Sequence, residues 1–251
     1  MKSYFSAWRI FRSLSDENRT TAEHLLSRQA WPHDKEDLRI VDLGCGDGAM
    51  LAELLVASRQ RIAAVHLVDP DAEFLRIAVE RISSLNPLMT LNQTLGYAED
   101  VIMKVTEGVQ VILAIHLVYL LGNGGFKTLL KQLPIGVPFF LVLDERESVF
   151  QELWRRTALK YHQRVLDAHQ IISGLSSMEY VVTKSEFDSH LRTPMGLRQD
   201  LRDAVLSMLC YTELSSLDDA TREWVYQTID RRTAAGKVVC DCACYEIIRR
   251  S

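Results

Sequence analysis

Val41-Asp-Leu-Gly-Cys-Gly-Asp-Gly48 decides how this 251-residue chain folds. Its apolar lead-in, Leu38-Arg-Ile-Val-Asp-Leu43, reads as a buried strand and runs straight into glycines at 44, 46 and 48. Ala49-Met-Leu-Ala-Glu-Leu-Leu-Val-Ala57 follows without Gly or Pro, its apolar residues at helical spacing. Strand, glycine turn and helix in this order form the nucleotide-gripping corner of a doubly wound α/β domain. Glycines let the chain turn sharply and let a ligand touch bare backbone. The helix start adds unpaired N–H groups.

Outward from this corner, residues 38–145 alternate strand and helix as parallel α/β domains do. A helix over 49–59 leads to a strand at 63–69, a helix at 71–84 and a weaker strand at 89–95, followed by Gly96-Tyr-Ala-Glu-Asp100. The stretch 109–115 is a nearly unbroken apolar run of the kind buried on both faces. Gly122-Asn-Gly-Gly125 reads as a turn before a short helix at 126–132, and a strand at 137–143 runs into Asp144. Beyond it, 146–175 reads as helical and Met178–Thr193 as a strand closed by Pro194-Met-Gly196. Helices at 197–211 and 217–231 and a last strand at 236–248 complete the chain.

Ahead of the first strand, Tyr4, Phe5, Trp8 and Phe11 form an aromatic cluster, and 20–29 reads as a helix stopped by Trp31-Pro32. An aromatic-rich segment in this place suits a cap over a ligand cleft. With no repeat and no low-complexity linker, the expectation is one domain of three stretches. These are a cap segment 1–36, a binding core 37–145, and a part 146–251 that completes the sheet. Ligands in such sheets bind beyond the carboxyl ends of the strands. That gathers Asp42–Gly48, Asp69, Ala98–Asp100 and His116–Tyr119 around one crevice.

A net charge of −4 and no run of five basic residues weigh against nucleic acid or an anionic membrane as partner. No apolar run reaches the roughly 18 residues of a membrane span. Met1–Ile10 lacks the apolar core of a signal peptide. Cys240, Cys242 and Cys244 alternate, so they share one face of a strand. That spacing is not that of structural zinc pairs, and small buried side chains, with no metal, explain it best. An odd total of five cysteines makes a reducing cytoplasm the expected compartment.

Gly44-x-Gly46-x-x-Ala49 fits the dinucleotide fingerprint in its G-x-G-x-x-A form, so a nicotinamide cofactor stands as an alternative. The acids weigh against it. Asp42 and Asp47 would repel a pyrophosphate, whereas a zwitterionic sulfonium ligand offers them a cation and an ammonium. Asp69 ends the second strand about 20 residues beyond the loop, where a carboxylate receives ribose hydroxyls. His116 and Tyr119 stand three apart after the fourth strand, and a histidine there is able to hold or take a proton near neutral pH.

D-x-G-x-G-x-G followed by this acid resembles motif I and the post-motif acid of the S-adenosylmethionine (SAM) methyltransferases. The likeness implies the class I fold: a Rossmann-like doubly wound sheet of seven strands, the last antiparallel, with an N-terminal helical cap. It implies SAM as cofactor, held by Asp42, Gly44, Cys45, Gly46 and Gly48, by Asp69 and Pro70, and by Ile115. Ala98, Glu99 and Asp100 fall where the loop after the third strand reaches the adenine. After the fourth strand, the Asn/Asp-Pro-Pro-Tyr/Phe tetrad of adenine-type amine methylation is missing.

The chain resembles, more narrowly, the histamine N-methyltransferase-like branch. The landmarks are Phe11-Arg-Ser-Leu-Ser-Asp-Glu-Asn18, Ile115-His-Leu-Val-Tyr-Leu120, Phe150-Gln-Glu-Leu-Trp154 and Gly236-Lys-Val-Val-Cys-Asp-Cys242. By that likeness the acceptor pocket takes Glu17 or Asn18, His116 and Tyr119, Trp154, and Asp241 or Cys242, and the aromatic cap adds Tyr4, Phe5 and Phe11 to its lining. Tyr119 and Trp154 match the branch in type. His116 stands where it has a glutamine, and Leu120 where a second tyrosine is usual. The expected activity is methyl transfer to a small molecule, first an amine nitrogen, by a monomer or weak homodimer. O-methylation of a hydroxyl or carboxylate, and SAM binding without turnover, are the alternatives.

Overall fold

β1 (Leu38–Leu43) lies inside a parallel sheet, bonded on one side to β2 (Ile62–Asp69) and on the other to β4 (Val111–Ile115). With neighbours on both edges, its residues Ile40, Val41 and Leu43 are buried, which is why the strand reads as a continuous apolar run. The computed structural model describes residues 4–34, 36–160, 168–210 and 212–251, with the side chains of 4–6, 120 and 158–160 left aside. β3 (Thr90–Leu95) pairs with β2, and β5 (Phe139–Asp144) with β4, all parallel. With β6 (Tyr180–Arg192), β7 (Thr233–Ala234) and β8 (Lys237–Arg249), the described sheet runs β3-β2-β1-β4-β5-β8-β6. The last strands bring in antiparallel pairing, shown by β7 against β8. Strand order reverses between β1 and β4, the point where such sheets open a ligand crevice.

The helices are α1 (Tyr4–Leu14), α2 (Glu17–Leu26), α3 (Ala49–Ala57), α4 (Ala72–Leu85), α5 (Ala98–Val105) and α6 (Gly122–Gln132). α7 (Val149–Lys160), α8 (Ala168–Ser173), α9 (Gln199–Leu209) and α10 (Asp219–Arg232) follow. α4 starts where its cap dictates: Asp71 accepts from the N–H groups of Glu73 and Phe74, at 2.9 and 3.1 Å.

Three expectations need correction. The glycines at 122–125 lie in the first turn of α6 and do not form a turn ahead of it. A Cβ on Gly125 would stand 2.9 Å from Glu99 Oε1, so this glycine answers a close approach from α5. α2 begins at Glu17, earlier than the expected 20, and ends at Leu26. β4 and β5 each begin two residues late, because Val109 and Gln110 are spent on bonds to Thr106 and Arg39 and Pro138 donates no N–H. The helical expectation for 161–167 and for 211 lies outside the described residues.

The chain divides into two compact units that interleave the three expected stretches. One comprises Asn18–Leu143, Leu166–Ser185 and Ala243–Ser251 and holds β1–β5 up to Leu143. The other comprises Met1–Glu17, Asp144–Val165 and Glu186–Cys242. Its core is built from α1, α7, α9 and α10 around Phe11, Phe150, Leu153, Leu206 and Ile229. Among the described residues, no helix is long and apolar enough to cross a membrane.

Candidate functional site

The crevice at the carboxyl ends of β1, β2 and β4 belongs wholly to the unit that holds the parallel strands. Its floor is the loop after β1. Gly44 N and Cys45 N both donate to Val68 O, at 2.8 and 3.0 Å, and Gly48 N closes the turn onto Cys45 O at 2.9 Å. Gly44 and Gly48 hold φ of 67° and 70°, left-handed values that a side chain rarely adopts. They are also crowded: a Cβ would meet Leu117 Cδ1 at 2.6 Å and Ala78 Cα at 3.0 Å respectively. A Cβ on Gly46, by contrast, would meet nothing within 4 Å, so the middle of the loop faces open space.

Asp69 is tied to that loop. Its Oδ2 accepts from Gly46 N and its Oδ1 from Asp71 N, both at 2.9 Å. Burial pushes its pKa up and the two N–H donors pull it back. Asp42, 3% exposed, is pushed up to about 8, by burial first and by the charge of Asp69 second. The Cys45 thiol is raised too, by burial and then by Asp42 and Asp69, so it is no nucleophile. Asp47 is placed differently from the expectation that it meets a ligand. Its Oδ2 pairs with Arg81 of α4 at 3.1 Å and its Oδ1 accepts from Ala49 N at 3.2 Å.

Pro70 is exposed just beyond Asp69. Ala98 is buried at the start of α5, with Glu99 half-buried and Asp100 exposed in its first turn. Glu99 Oε2 is buried without a hydrogen-bond partner among the described residues. Ile115 ends β4 opposite Val142, and His116 N donates to Val142 O at 3.0 Å. His116 has φ 54°, and its ring lies near-parallel to that of buried Tyr119, centroids 6.3 Å apart. A histidine held in this conformation marks stored strain of the sort concentrated at functional sites.

Of the residues nominated for the acceptor pocket, Asn18 is half-buried in α2 within this same unit. Phe11, Glu17, Trp154 and Asp241 belong to the other unit. Phe11 is core there, 4% exposed and edge-on to Phe150 at 6.2 Å. Trp154 is buried in α7. The side chains of Tyr4 and Phe5 lie outside the described residues. Glu17 takes Arg12 at 2.8 Å and stands with Asp144 and Cys242, their carboxylate and sulfur atoms within 4.8 Å of one another. All three are buried. Asp241 is half-buried; burial first, and then Asp188, raise its pKa. A cavity of about 840 Å³ in this unit lies against Ala7, Asp203, Met208, Arg222 and Tyr226, and none of the nominated residues lines it.

No family model and no curated protein matches the sequence. Solved structures do. The YcgJ protein of Bacillus subtilis superposes with a TM-score of 0.57 at 13% identity, over 91% of this chain and 99% of that one. A phosphoethanolamine N-methyltransferase of Haemonchus contortus, crystallised with phosphomonomethylethanolamine and S-adenosylhomocysteine (SAH), gives 0.52 at 13%, over 92% and 52%. A geranyl diphosphate C-methyltransferase of Streptomyces coelicolor A3(2), holding Mg²⁺, geranyl diphosphate and SAH, gives 0.51 at 12%, over 92% and 77%.

The fold is the methyltransferase fold. At such identities the likeness concerns the fold alone, and it joins proteins that methylate nitrogen and carbon. On this methyltransferase fold, sequence reasoning overlooked Leu117 beneath Gly44, the contact of Glu99 with Gly125, and Asp144. Asp144 had a signal: like Asp69, it is an acid that closes an apolar parallel strand. Leu117 had none, because its role depends on a contact across the chain.

Proposed function

We propose that this protein is a SAM-dependent methyltransferase acting on a small-molecule amine. The observation that carries the reading is Asp69, a buried carboxylate held by the glycine loop at the end of β2. Each of its oxygens accepts one backbone N–H and keeps a lone pair for a ribose hydroxyl. The open face of Gly46 gives the ligand backbone to lie against, and Asp42 beside it favours a cationic ligand over a pyrophosphate. SAM, when bound, supplies a methyl group on a positively charged sulfur. The chain's part is to align an acceptor with it and to exclude water.

His116 is the group suited to holding or removing the acceptor's proton near neutral pH. Ala98, Glu99 and Asp100 are assigned to the adenine, with Pro70 and Ile115 flanking the cofactor. An amine is the preferred acceptor because the pattern resembled is that of an amine methyltransferase and the chain has no run of basic residues to meet a large anionic acceptor. Tyr119, Trp154 and either Asp241 or Cys242 are assigned to its remainder, following the histamine N-methyltransferase-like pattern, with the acceptor itself left open by His116 and Leu120.

Calorimetric titration with SAM, SAH and NADH, beside mass-spectrometric detection of methylated products over an amine panel, tests this. SAM and SAH should bind and NADH should not. Methylated hydroxyls or carboxylates in place of amines would move the acceptor, and tight SAM binding with no product from any acceptor would mark a non-catalytic SAM-binding protein.

A further inference from the structure

Two carboxylates share the crevice after β1 and β2, and the chain treats them unequally. Burial raises the pKa of Asp69 as well, but two N–H donors favour its charged form and pull it back. Asp42 lies one residue from the end of β1, and its neighbours in register are Leu67 on β2 and Leu113 on β4. What acts on it is burial first and the charge of Asp69 second, and both oppose ionisation.

The ionisable groups around Asp42 are few. β2 offers Asp69, and the glycine loop offers Cys45 and Asp47, the latter turned to Arg81 of α4. β4 has no ionisable residue from Val111 to Ile115, with His116 following it, and Glu53 of α3 is exposed. Arg81, the guanidinium that reaches the loop, is taken by Asp47.

We infer that a cationic ligand entering this crevice displaces a proton from Asp42, so that the cofactor is taken up in exchange for H⁺. The inference rests on the reading that this ligand is SAM. With its pKa near 8, the Asp42 carboxyl is mostly protonated in the free protein at neutral pH. A ligand that brings an ammonium and a sulfonium reverses the balance, the O–H bond breaks, and the proton passes to solvent. Proton release on binding means that affinity rises with pH for as long as the free protein carries that proton. The slope approaches one decade per pH unit and flattens above about 8.

Titration calorimetry with SAM near neutral pH, in two buffers of different ionisation heat, counts the protons. The wild type should release close to one, and its affinity should rise by roughly tenfold or more between about pH 6 and about pH 8. Asp42→Asn, the neutral isostere, should release none and bind with pH-independent, weaker affinity. A carboxyl ¹³C titration of the ligand-free protein reads Asp42 directly, and should that variant fail to fold, these two wild-type measurements decide alone. SAM binding with no proton released, or an Asp42 carboxyl that titrates in the ordinary range, would overturn the inference and leave the SAM reading standing. Absence of any SAM binding would overturn that reading and the inference with it.

Discussion

Asp69 and Glu17, buried acids of the two compact units, are held by different means. In the unit containing the parallel strands, Asp69 is secured by backbone N–H groups of a glycine loop and a strand end. In the other, Glu17 is matched by the guanidinium of Arg12 at 2.8 Å, as Asp203 is by Arg202 at 3.4 Å and Glu152 by Arg231 and Arg232 at 3.0 and 2.8 Å. A carboxylate held by N–H dipoles keeps its formal charge for a ligand. One held by arginine has already spent it. Left-handed loop glycines and an acid held by N–H groups thus set the loop after β1 apart from the paired charge and aromatic packing around Phe11 in the other unit.

Glycine offers the sharpest way to break that contrast. Gly48 and Gly236 share nearly the same left-handed φ, 70° and 77°, one in each unit. A Cβ on Gly48 would stand 3.0 Å from Ala78 Cα, whereas one on Gly236 meets nothing within 4 Å. Gly48→Val should cost about 4 kcal/mol in denaturant unfolding, from backbone strain together with overpacking. Gly236→Ala pays only the conformational term, about 1 kcal/mol. Equal losses would mean that the loop after β1 is no tighter than an ordinary turn.

Phe11 comes next. At 4% exposure against Phe150, its truncation to Ala should cost about 3 kcal/mol of stability, as other buried aromatics do. A loss under about 1 kcal/mol would place the ring outside the core, where the reading of the aromatic segment as a cap would have it line a pocket.

Much of the parallel unit was legible from the chain. β1 was expected at 38–43 and lies at Leu38–Leu43, because an interior strand with both edges bonded must be apolar throughout. β3 was weak in the sequence for the converse reason: Thr-Leu-Asn-Gln-Thr-Leu is an edge strand and largely exposed. What stayed hidden depends on contacts distant in sequence. Glycines at 124 and 125 read as a turn, since nothing local announces that Glu99 will press on the helix. The left-handed backbone of His116 left no trace in residue type either. The gathering of Glu17, Asp144 and Cys242 joins three distant segments, and the small alternating cysteines read, as found, as buried strand residues.

Asp69→Ala probes the N–H-held acid itself. Losing a charged hydrogen-bond partner should weaken SAM binding by about 2–3 kcal/mol, measured by calorimetry on folded protein. Gly46 N also loses its acceptor, so part of the loss reflects a looser loop. Unchanged affinity would detach Asp69 from the cofactor and undo the distinction between the two ways of holding charge.

The smallest expected effect has the most telling sign. Arg81 pairs with Asp47 across a partly exposed edge of the loop, so the pair itself contributes no more than about 1 kcal/mol to stability. In Arg81→Ala, Asp47 keeps its bond from Ala49 N but loses its counter-charge, and the crevice becomes one unit more negative. A sulfonium ligand should then bind slightly tighter, on the order of 2- to 5-fold at low salt, with the gain fading as ionic strength rises. A doubly phosphorylated ligand would respond in the opposite direction. Weaker SAM binding in this variant would mean that the acids around the glycine loop do not select for positive charge, whatever the fold they sit in.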